Sequence, residues 1–321
     1  MPEDRRQIER VSAFLEQARQ EIGLMIVGQK ELIERLLIAL LAKGHLLLEG
    51  MPGLAKTLSI KTLAKVVQAQ FSRVQFTPDL LPADIIGTSI YNPKEASFAI
   101  KKGPLFTDIL LADEINRAPP KVQSALLEAM AEGQVSLSGE THTLPFFFVM
   151  ATQNPVEQEG TFPLPEAQMD RFLMKVLLSY PSHAEEKEIL NSQGRQVAPK
   201  AVLSLDMIQE AQKLTDSIFI EENVLDYILS IIFATRDPKR YGLDIAQYLQ
   251  YGASPRASLA LKKASQAHAL LAGRGHVTPH DVKSVAKDIL RHRLILSYEA
   301  QAEEIDADHL IEKILSGIQV P

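Results

Sequence analysis

One stretch, His45 to Lys65 (HLLLEGMPGLAKTLSIKTLAK), constrains the fold of this chain more than any other. The short apolar run Leu46 to Leu48 stops at a loop rich in Gly and Pro, and an amphipathic segment with helical spacing follows. Strand, glycine loop and helix in that order form a turn whose backbone N–H groups converge on an anion at the helix start. The candidate ligand-binding residues run from Gly50 through Pro52, Gly53, Leu54 and Ala55 to Lys56, Thr57 and Leu58. Gly50 and Gly53 let the backbone curl without a Cβ in the way. Lys56 would reach the β- and γ-phosphates of a nucleotide, and the Thr57 hydroxyl would bind Mg²⁺. The pattern is GxxxxGK[ST] with Ala55 in place of the second glycine. Alanine fits there if the residue already lies at the helix start with φ below zero. The plain alternative is a strand-to-helix turn with an incidental lysine.

The 321 residues suffice for two domains with real cores. A hydrophobic share of 46% and a charged share of 23% are ordinary for a globular chain. The net charge of −6 gives no general attraction to nucleic acid or acidic membranes. Cysteine is absent, which rules out disulfides and thiolate metal sites, and the eight histidines lack metal-ligand spacing. The charged start, MPEDRRQIER, lacks the apolar core of a signal peptide, and no run approaches the roughly 20 apolar residues that span a bilayer. A cytoplasmic location is expected.

Taken in order, residues 3–22 carry Ile8, Val11, Leu15, Ala18 and Ile22 at amphipathic-helix spacing. Gly28 then breaks the chain before a second helix. The bend at Val27 and Gly28 is placed either to cover an adenine base or to make a simple interhelical turn. FSRVQFT (71–77) reads as a second strand. Residues 78–104, with four prolines and the runs GTSIY and SFAIK, read as an inserted β-hairpin, a working loop or a plain surface insertion.

ILLADE (109–114) is apolar on both faces, as a central parallel strand requires. It ends in Asp113 and Glu114, which strand pleating would aim in different directions. That split suits Asp113 to hold Mg²⁺ through water and Glu114 to polarise an attacking water. KVQSALLEAMAE (121–132) is a helix, QVSLSGETHTL (134–144) a second hairpin, and PFFFVMATQNP (145–155) a fourth strand. Asn154, just past that strand, would orient the lytic water and sense the γ-phosphate, or else is a turn residue before Pro155. A short helix and a fifth strand occupy 163–181, where Arg171 follows Asp170 in what looks like a surface ion pair.

Beyond Pro181 the periodicity is helical, with no convincing strand, and 183–220 read as an irregular helical insert. Ser254-Pro255-Arg256 opens a helix with Ser as N-cap and Pro at the first position. A cation in that first turn opposes the helix dipole unless an anion such as a nucleotide phosphate is nearby. Thr278-Pro279-His280-Asp281 opens a further helix as a capping box.

With these residues in view, the chain strongly resembles the MoxR family of AAA+ ATPases. The likeness runs through nearly the whole chain and is densest in EGMPGLAKT, LLADEINRAPPKVQSALLEAM, FFFVMATQNPVEQEGTFPLPEAQMDRFLMK and YGASPRA. It implies a P-loop α/β core with a five-stranded parallel sheet, one hairpin inserted into the second helix and another before the sensor strand, then an all-α lid. The expected division is a core over 1–181 and an insert plus lid over 182–321. By position, Lys56 and Thr57 resemble Walker A residues, Asp113 and Glu114 Walker B, Asn154 sensor 1, and Arg256 sensor 2, acting in cis or in trans. Arg171 resembles an arginine finger acting on ATP in the neighbouring subunit, and Arg117 is a further interface candidate. The resemblance implies ATP and Mg²⁺ as cofactors and a homo-oligomeric, hexameric ring. That ring would remodel, mature or load metal or cofactor into a protein client, with a separate von Willebrand factor A domain partner. Two other readings stand beside it: a nucleotide-gated assembly scaffold, and a DNA motor kept open by Lys94, Lys101 and Lys102 in the first hairpin, against which the net charge weighs.

Overall fold

A computed structural model describes residues 2–51, 53–93, 97–155, 160–192 and 198–321. Two helices, α1 (Pro2–Met25) and α2 (Lys30–Leu41), precede the strand β1 (Leu46–Gly50) and the helix α3 (Lys56–Val66). Next come β2 (Phe71–Gln75), the short α4 (Pro82–Ile86), the hairpin β3 (Gly87–Asn92) and β4 (Ser97–Lys102), and β5 (Ile109–Asp113). Helix α5 (Pro120–Glu132), the hairpin β6 (Gln134–Leu137) and β7 (Glu140–Thr143), and β8 (Phe148–Gln153) follow. The short α6 (Glu166–Met169) leads into β9 (Met174–Leu178).

β1, β2, β5, β8 and β9 form one parallel sheet in the order β2-β5-β8-β1-β9. Successive side chains on a strand point to opposite faces, and the apolar runs use both. Leu46 and Leu48, Ile109 and Leu111, and Phe148 and Met150 enter a core shared with α1, α2 and α3. Leu47, Leu110 and Ala112, and Val149 and Ala151 enter a second core beneath α5. Every one of these residues is buried, so a run without alternation is what a sheet covered on both faces requires.

Both hairpins form where expected. β6 and β7 turn at Ser138 and Gly139, both with positive φ, as a two-residue hairpin loop demands. The β3–β4 hairpin leaves the body after α4, and the chain does not resume a helix beyond it. It is solvent-exposed, with Tyr91 and Phe98 paired across the strands at 5.2 Å between ring centroids. Lys101 and Lys102 lie on its β4 arm, while Lys94 falls outside the described residues.

After β9 the chain continues through α7 (His183–Ser192), α8 (Leu205–Ser217), α9 (Glu222–Arg236) and the three-residue β10 (Leu249–Tyr251). It ends with α10 (Pro255–Leu271), α11 (Pro279–Leu290), β11 (Ile295–Leu296), α12 (Tyr298–Ala302) and α13 (Ala307–Gly317). Two expectations need correction. The helical character of 183–220 holds, but its described residues form the regular helices α7 and α8 where an irregular helical insert is expected. α8 buries Ile208, Ala211 and Leu214 and passes the Gln212 amide to the Leu40 carbonyl at 2.8 Å, so polar residues on its packed face masked the period. The helical region also contains an antiparallel ribbon, β10 with β11, too short to show alternation in sequence. The core that lines one face of the sheet runs on without a break through α8–α11 and α13. Among the described residues, no helix is long and apolar enough to cross a membrane.

His45, at the foot of β1, binds three elements together. Its Nε2 lies 3.1 Å from the Met130 carbonyl at the end of α5, and its Nδ1 accepts the Val149 N–H of β8 at 3.1 Å. That pairing uses the neutral ring. Burial pushes its pKa down from 6.5 to about 4, and burial likewise holds His292 well below 6.5. The unfolded chain therefore binds protons that the native chain refuses, and stability falls as pH drops below about 6.5. The His45 contribution reaches about 1.4 kcal/mol per pH unit and levels off near pH 4. Denaturant unfolding across this window should show that slope, and His45→Gln should lose its share; an unchanged slope in the variant would refute the assignment.

Candidate functional site

The carboxyl ends of β1, β5 and β8 lie side by side, and the cleft beyond them is a cavity of about 390 Å³. It is lined by Gly53, Ala55, Lys56, Thr57 and Leu58 from the glycine loop, Asp113 and Glu114 from the end of β5, and Thr152, Gln153 and Asn154 from the end of β8. This is the crevice in which open α/β sheets take ligands. Its size lies within the range of small-molecule pockets, roughly 300–1,000 Å³.

The loop is shaped by close approach and by backbone handedness. A Cβ on Gly50 would stand 2.8 Å from the Leu178 side chain, since β1 and β9 pair in register there. Gly53 has φ +86° and open space where a side chain would be. Pro52 lies outside the described residues, and Leu54 is buried beneath the loop. Ala55 corrects the expected geometry. It caps α3 in the left-handed conformation, φ 55°, and not at a negative φ. The position thus demands what the usual glycine supplies, and alanine meets it at a backbone cost of about 1–2 kcal/mol.

Lys56 reaches back across the loop. Its ammonium donates to the Gly50 carbonyl and, at 3.4 Å, to that of Gln153. Burial pushes its pKa down, opposed by the carboxylates of Asp113, Glu114 and Glu49.

The two acidic side chains take different partners, and the expected pleating does not extend to Glu114. The strand ends at Asp113, and Glu114 turns into the left-handed region at φ 57°. Thr152, which the sequence reading missed, fixes both residues. Its hydroxyl donates to Asp113 Oδ1 at 2.7 Å and accepts the Glu114 N–H at 2.9 Å. Glu114 Oε2 accepts from Gln75 Nε2 at 2.8 Å and from Arg117 at 3.2 Å. Asp113 Oδ2 accepts from Arg73 at 2.6 Å. Arg73 and Gln75 were also missed, although alternating polar residues in FSRVQ mark a face of β2 that is not core. Asn154 is buried at the cavity wall.

Val27, Gly28, Arg171 and Arg256 stand apart from this cavity. Gly28 lines a separate one of about 350 Å³, between the start of α2 and the chain leaving β9, with Val27 beside it in sequence. Arg171 does not pair with Asp170, as its neighbour in sequence had implied. Its guanidinium donates to the Leu127 carbonyl of α5 at 2.8 Å, and the residue is exposed. Asp170 instead accepts from the buried Arg293 at 2.6 Å and from the Ser254 hydroxyl at 3.1 Å. Arg256, 63% exposed at the start of α10, lies 3.7 Å from the same carboxylate, so the anion that offsets the helix dipole is a protein group.

The chain as a whole has relatives among known proteins. Residues 45–174 match the family model described as the ATPase family associated with various cellular activities, and residues 243–314 match that of the AAA lid domain. The chain is 50% identical over 312 residues to chaperone MoxR1 of Mycobacterium tuberculosis, covering 96% of this chain and 82% of that one. It is 31% identical to protein MoxR of Paracoccus denitrificans, covering 92% and 93% of the two chains. The chain belongs to the MoxR family of AAA+ ATPases. A crystal structure from Cytophaga hutchinsonii, described as that of a candidate ATPase, shares the fold with a TM-score of 0.92, 47% identity and 98% coverage of both chains.

In this MoxR-family chain, the residues present fit a nucleotide and a divalent ion. The loop leaves an open cradle at Gly53, Thr57 offers a hydroxyl, and Asp113 offers a carboxylate aimed by Thr152 on one oxygen and by Arg73 on the other. The left-handed Ala55 yields a test whose sign is informative. Ala55→Gly should raise stability by about 0.5–1 kcal/mol, because relief of the αL cost exceeds the added chain entropy. At a helical φ the same change would lower stability, so thermal or denaturant melts decide between the two geometries.

Proposed function

We propose that this chain binds and hydrolyses ATP in the cleft at the ends of β1, β5 and β8, as one subunit of a ring that remodels a protein client. One observation carries the reading: the glycine loop, Lys56, the carboxylates of Asp113 and Glu114, and Asn154 meet on a single cavity. In this reading the backbone of Gly50 to Ala55 cradles the phosphates, and Lys56 exchanges the Gly50 and Gln153 carbonyls for phosphate oxygens. Thr57 and Asp113 hold Mg²⁺, which when bound neutralises charge on the phosphates. Glu114 polarises the attacking water and Asn154 orients it. Val27 and Gly28 cover the base from the neighbouring cavity.

Arg171 and Arg256 complete the assignment. A lone subunit keeps Arg171 on its outer surface, bonded to α5, away from its own cleft. This supports a role for Arg171 on the site of the next subunit, and hence sites shared around a homo-oligomer, for which we propose a hexamer. Arg256, at the start of α10, senses the nucleotide from the lid. The division into a nucleotide-binding core over 1–181 and a helical insert and lid over 182–321 belongs to the same proposal. Similarity to a relative named a chaperone supports the remodelling role. We extend it to maturation or metal and cofactor loading of a client, with a von Willebrand factor A domain protein as separate partner, in the cytoplasm.

Two measurements test the reading. Glu114→Gln should bind ATP with near wild-type affinity while turnover drops by at least ~100-fold; normal turnover would remove Glu114 from catalysis. Turnover per subunit should rise steeply with protein concentration and collapse in Arg171→Ala. Turnover that ignores concentration and survives in the variant would eliminate shared sites. Silence of both proteins until a partner is added would favour the nucleotide-gated scaffold.

A further inference from the structure

Strand β2 is an edge of the sheet, and it brings a cation to the cleft that the catalytic reading does not use. Register places Gln75 opposite Asp113 and Arg73 opposite Leu111, so both side chains face the end of β5. Arg73 donates to Asp113 Oδ2 from NH2 at 2.6 Å and from Nε at 3.1 Å, and to Gln75 Oε1 at 3.0 Å. Gln75 in turn donates to Glu114. With Thr152 on Oδ1, both oxygens of Asp113 are engaged by protein donors and its charge is balanced by a guanidinium.

A structural role alone explains little of this. Arg73 is 48% exposed, and half-exposed ion pairs add little to stability. Its charge matters far more to a divalent ion drawn to the same carboxylate, since the repulsion scales with the product of the charges. We propose that Arg73 is a resident competitor for the divalent cation at Asp113, a positioning residue that sets the Mg²⁺ concentration at which the cleft accepts nucleotide. With no metal present it keeps the Asp113 carboxylate neutralised and aimed. This rests on the reading of Asp113 as the metal-side carboxylate.

The test is equilibrium binding of a fluorescent ATP analogue titrated with Mg²⁺, which needs no turnover. Arg73→Met and Arg73→Gln should lower the half-saturating Mg²⁺ by roughly three- to tenfold, while Arg73→Lys, which keeps the charge, should stay within about twofold of wild type. Thermal melts check that each variant is folded. Unchanged or higher Mg²⁺ demand in both neutral variants overturns the proposal, as does a shift in Arg73→Lys equal to theirs. Asp113→Asn, run alongside, should raise the Mg²⁺ requirement by more than about tenfold. If it does not, the metal-side assignment of Asp113 is what fails, an outcome separate from failure of the Arg73 proposal alone.

Discussion

A parallel sheet covered on both faces can carry polar side chains only where its strands run out. Here β1, β5 and β8 are central, and their odd and even residues feed two separate cores. Nothing polar is tolerated along their length, since burying an unpaired polar group costs several kcal/mol. The chemistry is therefore pushed to the carboxyl ends, to Gly50, Asp113 and Thr152. In-register pairing lines those ends up: Ala112 pairs with Ala151 and Leu48 with Thr152, so the next residues emerge together. The cleft is a consequence of the packing.

The helical region is tied to this sheet by buried cations and is not merely tethered by the chain. Arg293 donates to the Asp170 carboxylate and to the carbonyls of Phe172 and Leu173, fixing the turn that leads into β9. Arg291 bonds the Lys175 carbonyl of β9 and the carboxylates of Asp288 and Asp308, while Arg35 of α2 reaches Asp288 at 2.6 Å. Breaking a buried pair by removing one partner typically costs about 3–5 kcal/mol. These bonds therefore set a preferred lid position more firmly than surface ion pairs would. Asp170 is the junction where this bracing meets the proposed working residues, because it adjoins Arg171 in sequence and touches Ser254 and Arg256 in space. A displacement of α10 therefore acts on the turn that carries Arg171.

Much of this was legible in the sequence because the signals were local. The loop from Gly50 to Leu58, the paired acids ending β5, both hairpins and the caps at Ser254 and Thr278 announce themselves within a few residues. What was missed depends on the partner strand. Thr152 is unremarkable in ATQN until β8 pairs with β5, and Arg73 and Gln75 gain meaning only when β2 lies against Asp113. Asp170 and Arg171, adjacent in sequence, looked like a pair, yet Asp170 takes Arg293, beyond the end of α11, and Arg171 takes a carbonyl of α5. Ala55 failed differently. Its left-handed φ is invisible in residue type, because alanine ordinarily argues for the opposite conformation.

Every charged group lining the cleft already has a protein partner. Lys56 is held by carbonyls, Asp113 by Arg73 and Thr152, and Glu114 by Gln75 and Arg117. A polar group this satisfied is cheap to keep in the folded chain, which is how a cleft so rich in charge coexists with a dry core. The same pairing means that ligand binding is an exchange: each new contact is credited only with its advantage over the one it replaces. Affinity is lowered, but specificity gains, since a ligand that cannot replace the lost partners leaves charges stranded in a partly desolvated site. A triphosphate with its divalent ion carries both signs of charge and can satisfy Lys56 and Asp113 in one step. A simple anion can satisfy only the first.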